Sequence, residues 1–157
     1  MSLYSLLQEH QVLPMKIKEK MLYEAYEIAV NNLQNHPLFH EKKCFLHYSF
    51  LVHDQEIISW STNNRIIPEK RWGYEKLRRW DDSYIPGTHA ELALITRFWH
   101  EFKYEFKKFG IINIRLNRHK QRRLSAPCMM CSRWLRALKC STIIFTTDNG
   151  WAEVVYE

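Results

Sequence analysis

The spacing of apolar and polar residues changes several times along the chain, and each change marks a predicted helix or strand. In residues 16–33 the apolar side chains recur every three or four positions, which indicates an amphipathic helix that Pro37 ends. Runs rich in aromatic and β-branched residues indicate strands. In chain order, the elements predicted after this helix are strands at 44–52 and 56–60, a helix at 88–109, a strand at 111–116, a helix at 128–138, and strands at 141–147 and 151–156.

Two short connections between predicted strands indicate antiparallel hairpins. His53-Asp54-Gln55 separates the first pair of strands. Asn149-Gly150 separates the last pair and is typical of a type I′ turn, in which both central residues have positive φ. The element order therefore predicts an α/β protein whose five-stranded mixed sheet has helices packed on it and an antiparallel last strand.

The length and composition fit one globular domain that spans residues 1–157. Hydrophobic residues make up 46% of the chain and charged residues 25%, which excludes a disordered protein. No apolar run approaches the roughly 18 residues of a membrane span, and residues 1–14 lack the pattern of a secretory signal. We therefore expect a cytoplasmic protein with no membrane partner.

Basic residues outnumber acidic ones by 23 to 17, and they are unevenly placed. Residues 115–123 contain five basic side chains and no acidic one. A solvated surface explains such a run, and so does a phosphate-bearing partner, either a nucleotide or a single-stranded nucleic acid. The long connection at 63–87 carries four aromatic residues interleaved with arginines: Trp72, Tyr74, Trp80 and Tyr84. Two interpretations fit these residues: their rings stack on the bases of a nucleic acid, or they form a small apolar core.

A histidine and two cysteines stand at the starts of two predicted helices. His89 opens the helix at 88–109, and Cys128 and Cys131 open the next one, three positions apart, so that their sulfur atoms share a face. One histidine and two cysteines provide three ligands of a tetrahedral zinc site and leave the fourth position open, as in catalytic zinc sites. Taken singly, a Cys-x-x-Cys pair also serves in structural zinc sites or redox chemistry, and a lone histidine is often a core residue.

Glu91 lies two residues after His89, within the same predicted first turn. A carboxylate there is close enough to exchange protons with a metal-activated water without binding the metal itself. However, Thr88-x-x-Glu91 is also a capping box, in which Glu91 would only stabilise the start of the helix.

The two motifs together resemble the cytidine/deoxycytidylate deaminase superfamily. They are His-Ala-Glu at residues 89–91 and Pro-Cys-x-x-Cys at residues 127–131. Three further stretches, at 57–63, 124–128 and 146–151, look most like the small deoxycytidylate-deaminase-like proteins of phages and bacteria. The resemblance covers most of the chain, because the predicted element order also fits the three-layer α-β-α fold of that superfamily.

The resemblance implies zinc as the cofactor and assigns a role to each residue of the two motifs. His89, Cys128 and Cys131 would be the zinc ligands, and Glu91 would be the proton shuttle. The resemblance would also make Asn63 a contact to the sugar and the Ala90 backbone N–H a contact to the pyrimidine carbonyl. Two further substrate-binding residues are predicted from their positions: Arg123 at the end of the basic run, near the mouth of the pocket, and Ser125 just before the cysteines.

The activity implied by the resemblance is hydrolytic deamination of cytosine to uracil. The expected substrate is a free nucleotide such as deoxycytidylate, because the short final hairpin leaves no room for the helix that nucleic-acid-editing deaminases usually carry between their last two strands. Two alternatives stay open: a cytosine deaminase that acts on single-stranded DNA or RNA, and a non-catalytic, zinc-stabilised module that binds nucleic acid. Proteins of this superfamily often self-associate, so the resemblance also implies a second copy of the same chain as a partner, in a homo-oligomer.

Overall fold

A computed structural model of the chain describes residues 17–41, 45–65, 88–102, 109–138 and 140–155. Three α-helices and six strands lie within these residues. In chain order they are α1 (Glu19–Asn31), β1 (Leu46–His53), β2 (Glu56–Thr62), α2 (Ala90–Phe102), β3 (Gly110–Leu116), β4 (Arg122–Arg123), α3 (Met129–Ala137), β5 (Thr142–Thr146) and β6 (Trp151–Val155).

The strands form one mixed sheet with the order β2-β1-β3-β5-β6. Strands β3 and β5 run parallel, and the other neighbours along this path pair antiparallel, including β6 against β5. The predicted α/β class, the mixed sheet and its antiparallel last strand are therefore confirmed. Strand β4 pairs with the end of β3 and was not predicted, because two consecutive arginines carry no apolar alternation.

Each face of the sheet buries its own apolar core. In β1, Leu46, Tyr48, Phe50 and Val52 pack with the buried face of α1, whereas Leu51 packs on the opposite side with α2 and α3. The alternation follows from the pleat of a strand, which points successive side chains to opposite faces. The described residues therefore form three layers, with α1 on one side of the sheet and α2 and α3 on the other.

The helices are shorter than the sequence pattern predicts. The helix predicted at 16–33 begins at Glu19, after Lys18 as its N-cap, and ends at Asn31. A short 3-10 helix at Leu33–Asn35 then carries the chain towards β1. Apolar spacing marks the buried face of a helix, but the hydrogen bonds at its ends decide where it starts and stops.

The type I′ turn lies in a different hairpin from the one predicted. Asp54 and Gln55, between β1 and β2, have φ values of 50° and 61°, whereas Asn149 is not among the described residues with positive φ. The prediction for Asn149-Gly150 is therefore wrong in turn type, although the hairpin exists. Four residues connect β5 to β6 rather than two, and the Thr147 amide closes the turn by donating to the Gly150 carbonyl oxygen at 2.9 Å.

Two features predicted from the sequence lie outside the described residues. The aromatic cluster of the long connection lies within 66–87, and the last part of the helix predicted at 88–109 lies within 103–108. Among the helices that the structure does describe, none combines the length and the apolar character that crossing a membrane requires.

Candidate metal centre

Two helix starts bring one histidine and two cysteines together. His89 immediately precedes α2, and beside it Thr88 and Asn64 exchange two backbone hydrogen bonds of 2.9 and 3.0 Å. Cys128 is the N-cap of α3, where its sulfur accepts a hydrogen bond of 3.3 Å from the Cys131 amide. The backbone at both helix starts is therefore held by hydrogen bonds, which limits where the three side chains can point.

The three side chains lie close enough to hold a metal ion. One ligand atom from each of His89, Cys128 and Cys131 lies within 4.8 Å of the others, and Cys131 Sγ is 3.6 Å from His89 Nδ1. Cys131 is buried, and the other two residues are partly buried. One imidazole nitrogen and two sulfurs form a donor set that suits zinc better than the hard cations, which prefer oxygen. The ligand set predicted from the sequence is thus brought together.

The charges in this cluster favour a thiolate at Cys128. The hydrogen bond with Cys131 lowers the pKa of Cys128 to about 4; burial opposes the shift, and the hydrogen bond and charge of His89 add to it. Burial by itself lowers the pKa of His89, but the hydrogen bond and negative charge of Cys128 outweigh burial and raise that pKa overall. The thiolate is the form of cysteine that binds metals, so the ionisation favoured at Cys128 suits a metal ligand.

Glu91 lies next to this cluster, in the first turn of α2, and is only 4% exposed. Its Oε1 accepts a hydrogen bond of 2.6 Å from Asn113 Nδ2. Burial raises the pKa of Glu91, although the charge of His89 acts in the opposite direction. A buried carboxyl group whose pKa is raised beside a cluster of metal-ligating side chains is typical of groups that transfer protons.

The capping-box alternative for Glu91 does not fit the observed backbone. A capping box needs the Glu91 side chain to accept a hydrogen bond from the backbone N–H of the N-cap, for which Thr88 was the candidate. The Thr88 amide instead donates to the Asn64 carbonyl oxygen, and α2 begins only at Ala90. The carboxyl group of Glu91 is bonded to Asn113 in β3 and to the backbone N–H of Glu91 itself, and not to the Thr88 amide.

Of the predicted substrate contacts, Ala90 adjoins His89 in the chain, and Asn63 precedes Asn64, which pairs with Thr88 beside His89. The side chain of Asn63 joins β2 to β1: its Oδ1 accepts from the His47 amide at 2.9 Å, and its Nδ2 donates to the Phe45 carbonyl oxygen at 2.8 Å. Ala90 is buried and opens α2 between His89 and Glu91. Their contacts with a substrate stay predictions.

Ser125, another predicted contact, is buried and joins strands. Its hydroxyl donates to the Asn113 carbonyl oxygen at 2.9 Å, accepts from the Thr146 amide at 2.9 Å, and lies 2.7 Å from Thr146 Oγ1. These bonds hold the segment before α3 against the middle of β3 and the end of β5. A contact between this hydroxyl and a substrate stays a prediction.

Arg123, the fourth predicted contact, is partly exposed at the start of the segment that leads to the cysteines. It stands opposite Arg115 in the pairing of β3 with β4. Its guanidinium group donates to Gln121 Oε1 at 3.3 Å and to the Arg122 carbonyl oxygen at 3.2 Å. The two opposed arginines place two positive charges side by side on one surface.

Sequence reasoning missed two buried polar residues that connect to Glu91. Ser49 and Asn113 are direct partners in the register of β1 and β3, and Ser49 Oγ donates to Asn113 Oδ1 at 2.6 Å. The available signal was a single polar residue inside each of two otherwise apolar strand cores, Tyr-Ser-Phe and Ile-Asn-Ile. Buried polar side chains require hydrogen-bonding partners, so such interruptions of an apolar strand indicate a contact across the sheet.

Two comparisons with known proteins found no match for the chain. No family model matches the chain, and no curated protein sequence matches it.

Proposed function

We propose that the protein is a zinc-dependent deaminase that converts cytosine to uracil in a free nucleotide such as deoxycytidylate. The observation that carries the proposal is the buried carboxyl group of Glu91, two residues from His89, which lies with Cys128 and Cys131 in a cluster that could hold a metal ion. Three protein ligands with a neighbouring carboxyl group that is not itself a ligand is the arrangement that hydrolysis at a ring carbon requires.

His89, Cys128 and Cys131 would hold the metal ion. Zinc bound there would supply Lewis-acid activation of a water molecule. The neighbouring helix starts support this donor set, because the N-terminal dipole of α3 and the amide of Cys131 both stabilise the Cys128 thiolate.

Glu91 would move the protons of the reaction. Water adds at C4 of the ring, the carboxylate takes a proton from that water, and the carboxyl group delivers protons to N3 and to the departing amine. The products are uracil and ammonia, so the atoms of cytosine and one water are all accounted for. Burial of Glu91 excludes bulk water from this exchange.

The charged surface near the site favours a mononucleotide over a long strand. In the basic run at 115–123, the guanidinium group of Arg118 donates to the backbone carbonyl oxygens of Phe39, Leu38 and Glu41. These hydrogen bonds within the protein leave Arg118 less able to bind a phosphate group. Arg115 and Arg123 lie side by side, and the Arg115 guanidinium carbon sits 3.5 Å above the exposed ring of Phe45. Two adjacent cations can bind one phosphate group, because the anion offsets their mutual repulsion.

The first test is turnover by the zinc-loaded protein. It would be incubated separately with deoxycytidylate, deoxycytidine and a cytosine-containing oligonucleotide, and ammonia and the corresponding uracil-containing product would be measured. We expect deoxycytidylate to yield deoxyuridylate and ammonia, and we expect Glu91→Ala to lower kcat on the order of 10²- to 10⁴-fold while keeping its zinc. Activity on the oligonucleotide alone would support a strand-acting deaminase, and tight nucleic-acid binding without any turnover would support a zinc-stabilised binding module.

A second test addresses the phosphate contact. Arg123→Ala should raise KM for deoxycytidylate by about 10-fold, the cost of one charge-assisted hydrogen bond, and leave KM for the nucleoside unchanged. Arg133→Ala removes an exposed arginine from α3 and serves as the matched control. Equal effects of Arg123→Ala on nucleotide and nucleoside would contradict the assignment of Arg123.

A further inference from the structure

A chain of buried polar side chains crosses the sheet and ends at Glu91. Ser49 in β1, Asn113 in β3 and Glu91 in α2 are 0%, 1% and 4% exposed. Ser49 Oγ donates to Asn113 Oδ1 at 2.6 Å, and Asn113 Nδ2 donates to Glu91 Oε1 at 2.6 Å. Polar groups are costly to bury unless they are hydrogen-bonded, so three such residues in consecutive contact form one connected structural feature.

The orientation of the Asn113 amide is determined by its surroundings. Asn113 Nδ2 also lies 3.4 Å from the Ser125 backbone carbonyl oxygen, which can only accept a hydrogen bond. A flipped amide would set its oxygen against that carbonyl and against Glu91, two acceptors at once. The NH₂ group therefore faces Ser125 and Glu91, and its two hydrogens serve one acceptor each.

We propose that Asn113 is a positioning residue that anchors Oε1 of Glu91 and leaves Oε2 as the oxygen that serves the reaction. This inference rests on the proposed function, because it concerns how the Glu91 carboxyl group is presented to a substrate. A short hydrogen bond to one oxygen fixes the rotation of the carboxyl group about its last bond. Ser49 in turn fixes Asn113, so the direction of Glu91 is set from the middle of the sheet.

The same amide links Glu91 to the segment that carries the cysteines. Ser125 stands three residues before Cys128, and its carbonyl oxygen shares Asn113 Nδ2 with Glu91. Asn113 therefore relates the start of α2, which holds Glu91, to the start of α3, which holds two candidate ligands. A residue with this placement acts on catalysis through Glu91 and does not itself touch the substrate.

The central experiment replaces Asn113 with leucine, which has a similar shape and no hydrogen-bonding group. In zinc-loaded Asn113→Leu we expect kcat for deoxycytidylate to fall about 10- to 100-fold, as for other residues that orient a site, with KM unchanged. Thr142→Val is the matched control: it removes a buried hydrogen bond in the adjacent strand β5, to Glu153, and should leave kcat unchanged. A fall in kcat for both variants in equal measure would overturn the proposal.

A double-mutant cycle separates positioning from general damage to the fold. If Asn113 acts through Glu91, then Asn113→Leu should have little further effect on kcat in a Glu91→Ala background. If the double variant instead loses kcat by the product of the two single factors, the proposal is overturned. If Asn113→Leu does not fold, Ser49→Ala provides the second variant: it removes only the donor to Asn113 Oδ1, and we expect a smaller fall in kcat, whereas an unchanged kcat would count against the inference.

Crystal structures of the zinc-loaded wild type and Asn113→Leu give a readout that needs no activity. We expect the Glu91 carboxyl group to keep Oε1 on Asn113 in the wild type and to rotate in the variant. An unmoved Glu91 in the variant overturns the positioning role. Rotation of Glu91 in a protein that deaminates no cytosine substrate would instead overturn the proposed function while supporting the structural role of Asn113.

Discussion

At the scale of single residues, the three candidate ligands differ chemically from Cys140, the remaining cysteine among those that the structure describes. Cys140 is fully buried, its sulfur donates to the carbonyl oxygens of Phe109 and Thr142, and burial raises its pKa to about 12. Cys128 has a pKa lowered to about 4. One cysteine is therefore held as a thiol and the other as a thiolate, which is the form that binds metal.

The zinc content of a cysteine variant should depend on whether Cys128 or Cys140 is replaced. We expect Cys128→Ser to reduce the zinc content from about one ion per chain to near zero, because two ligands hold zinc far more weakly than three. Cys140→Ser is the control and should keep wild-type zinc content. Elemental analysis of the purified proteins measures both, and a Cys128→Ser protein with full zinc content would refute the ligand assignment.

A second residue-scale prediction concerns His47, which pairs with Arg115 across β1 and β3 and interacts with the charges of Arg115 and His89. Burial lowers the pKa of His47 from 6.5 to about 3, and the positive charge of Arg115 adds to the shift. Between these two pH values the unfolded chain binds a proton that the folded chain does not, so this contribution to stability is complete above pH 6.5 and is lost as the pH falls towards 3.

Replacing this imidazole should make stability less sensitive to acid. We expect the free energy of unfolding of His47→Gln to fall less steeply with decreasing pH than that of the wild type, by at most about 1.4 kcal/mol per pH unit. Urea denaturation at several pH values below 6.5 measures the two slopes. Identical slopes would show that His47 takes up a proton in the folded state.

At the scale of elements, the basic run at 115–123 is a hairpin of β3 and β4 rather than a uniform charged surface. Asn117 closes it: the Asn117 side-chain oxygen accepts from the amides of His119 and Gln121 at 2.9 and 3.0 Å. Lys120 adopts a positive φ of 64° in this turn. Side chains with a Cβ are strained in that region, so Lys120 is a local weak point of the hairpin.

Relieving that strain should stabilise the protein. We expect Lys120→Gly to raise the free energy of unfolding by about 1 kcal/mol, because glycine adopts positive φ without steric cost. His119→Gly, in the same turn but without a positive φ, should lower it by about 0.5 to 1 kcal/mol through the greater freedom of the unfolded chain. Chemical denaturation compares the two, and a change of the same sign in both variants would contradict the prediction.

Arg118, in the turn of this hairpin, connects the turn to the backbone after α1 through hydrogen bonds. Arg118 Nε donates to the Phe39 carbonyl oxygen at 2.6 Å, and its Nη2 donates to the carbonyl oxygens of Leu38 and Glu41. We expect Arg118→Ala to lower the free energy of unfolding by about 1.5 to 3 kcal/mol, since backbone acceptors lose a charged donor. Thermal denaturation measures the loss, for which Arg133→Ala on α3 is the control, and an unaffected melting temperature would show that the contact contributes little.

At the scale of the whole molecule, a bound metal would connect two helices that contribute residues to the same apolar core. Residues from α2 and α3 pack together on one face of the sheet, and the candidate ligands stand at the start of each helix. An ion that binds only the folded arrangement stabilises it by mass action, by about 4 kcal/mol when the free ion exceeds its dissociation constant 1,000-fold.

Removing the metal should therefore destabilise the entire fold. We expect a chelator to lower the melting temperature of the wild type, with recovery when zinc is added back. Cys128→Ser should already melt at the lower temperature and should not respond to the chelator. A wild-type melting temperature that is the same with and without chelator would contradict a metal centre that links the two helices.

Local features of the chain were sufficient to predict most elements and the candidate ligand set. Apolar spacing locates the buried faces of helices and strands because each depends on residues only a few positions apart. His89, Cys128 and Cys131 are recognisable for the same reason: their residue types and their places at helix starts are local properties. A metal site also requires that the two helix starts lie close together. The predicted order of the elements is compatible with that arrangement but does not determine it.

The tertiary structure alone decided which polar groups meet across the sheet. Ser49, Asn113 and Glu91 are far apart in the chain and connect only because β1 and β3 pair in one register and α2 packs over them. The same holds for the Asn63 side chain on the backbone of β1 and for Arg118 on the backbone after α1. A register is a sum of many weak contacts between distant residues, and shifting it by one position would turn each side chain to the opposite face, so no short stretch of sequence contains that information.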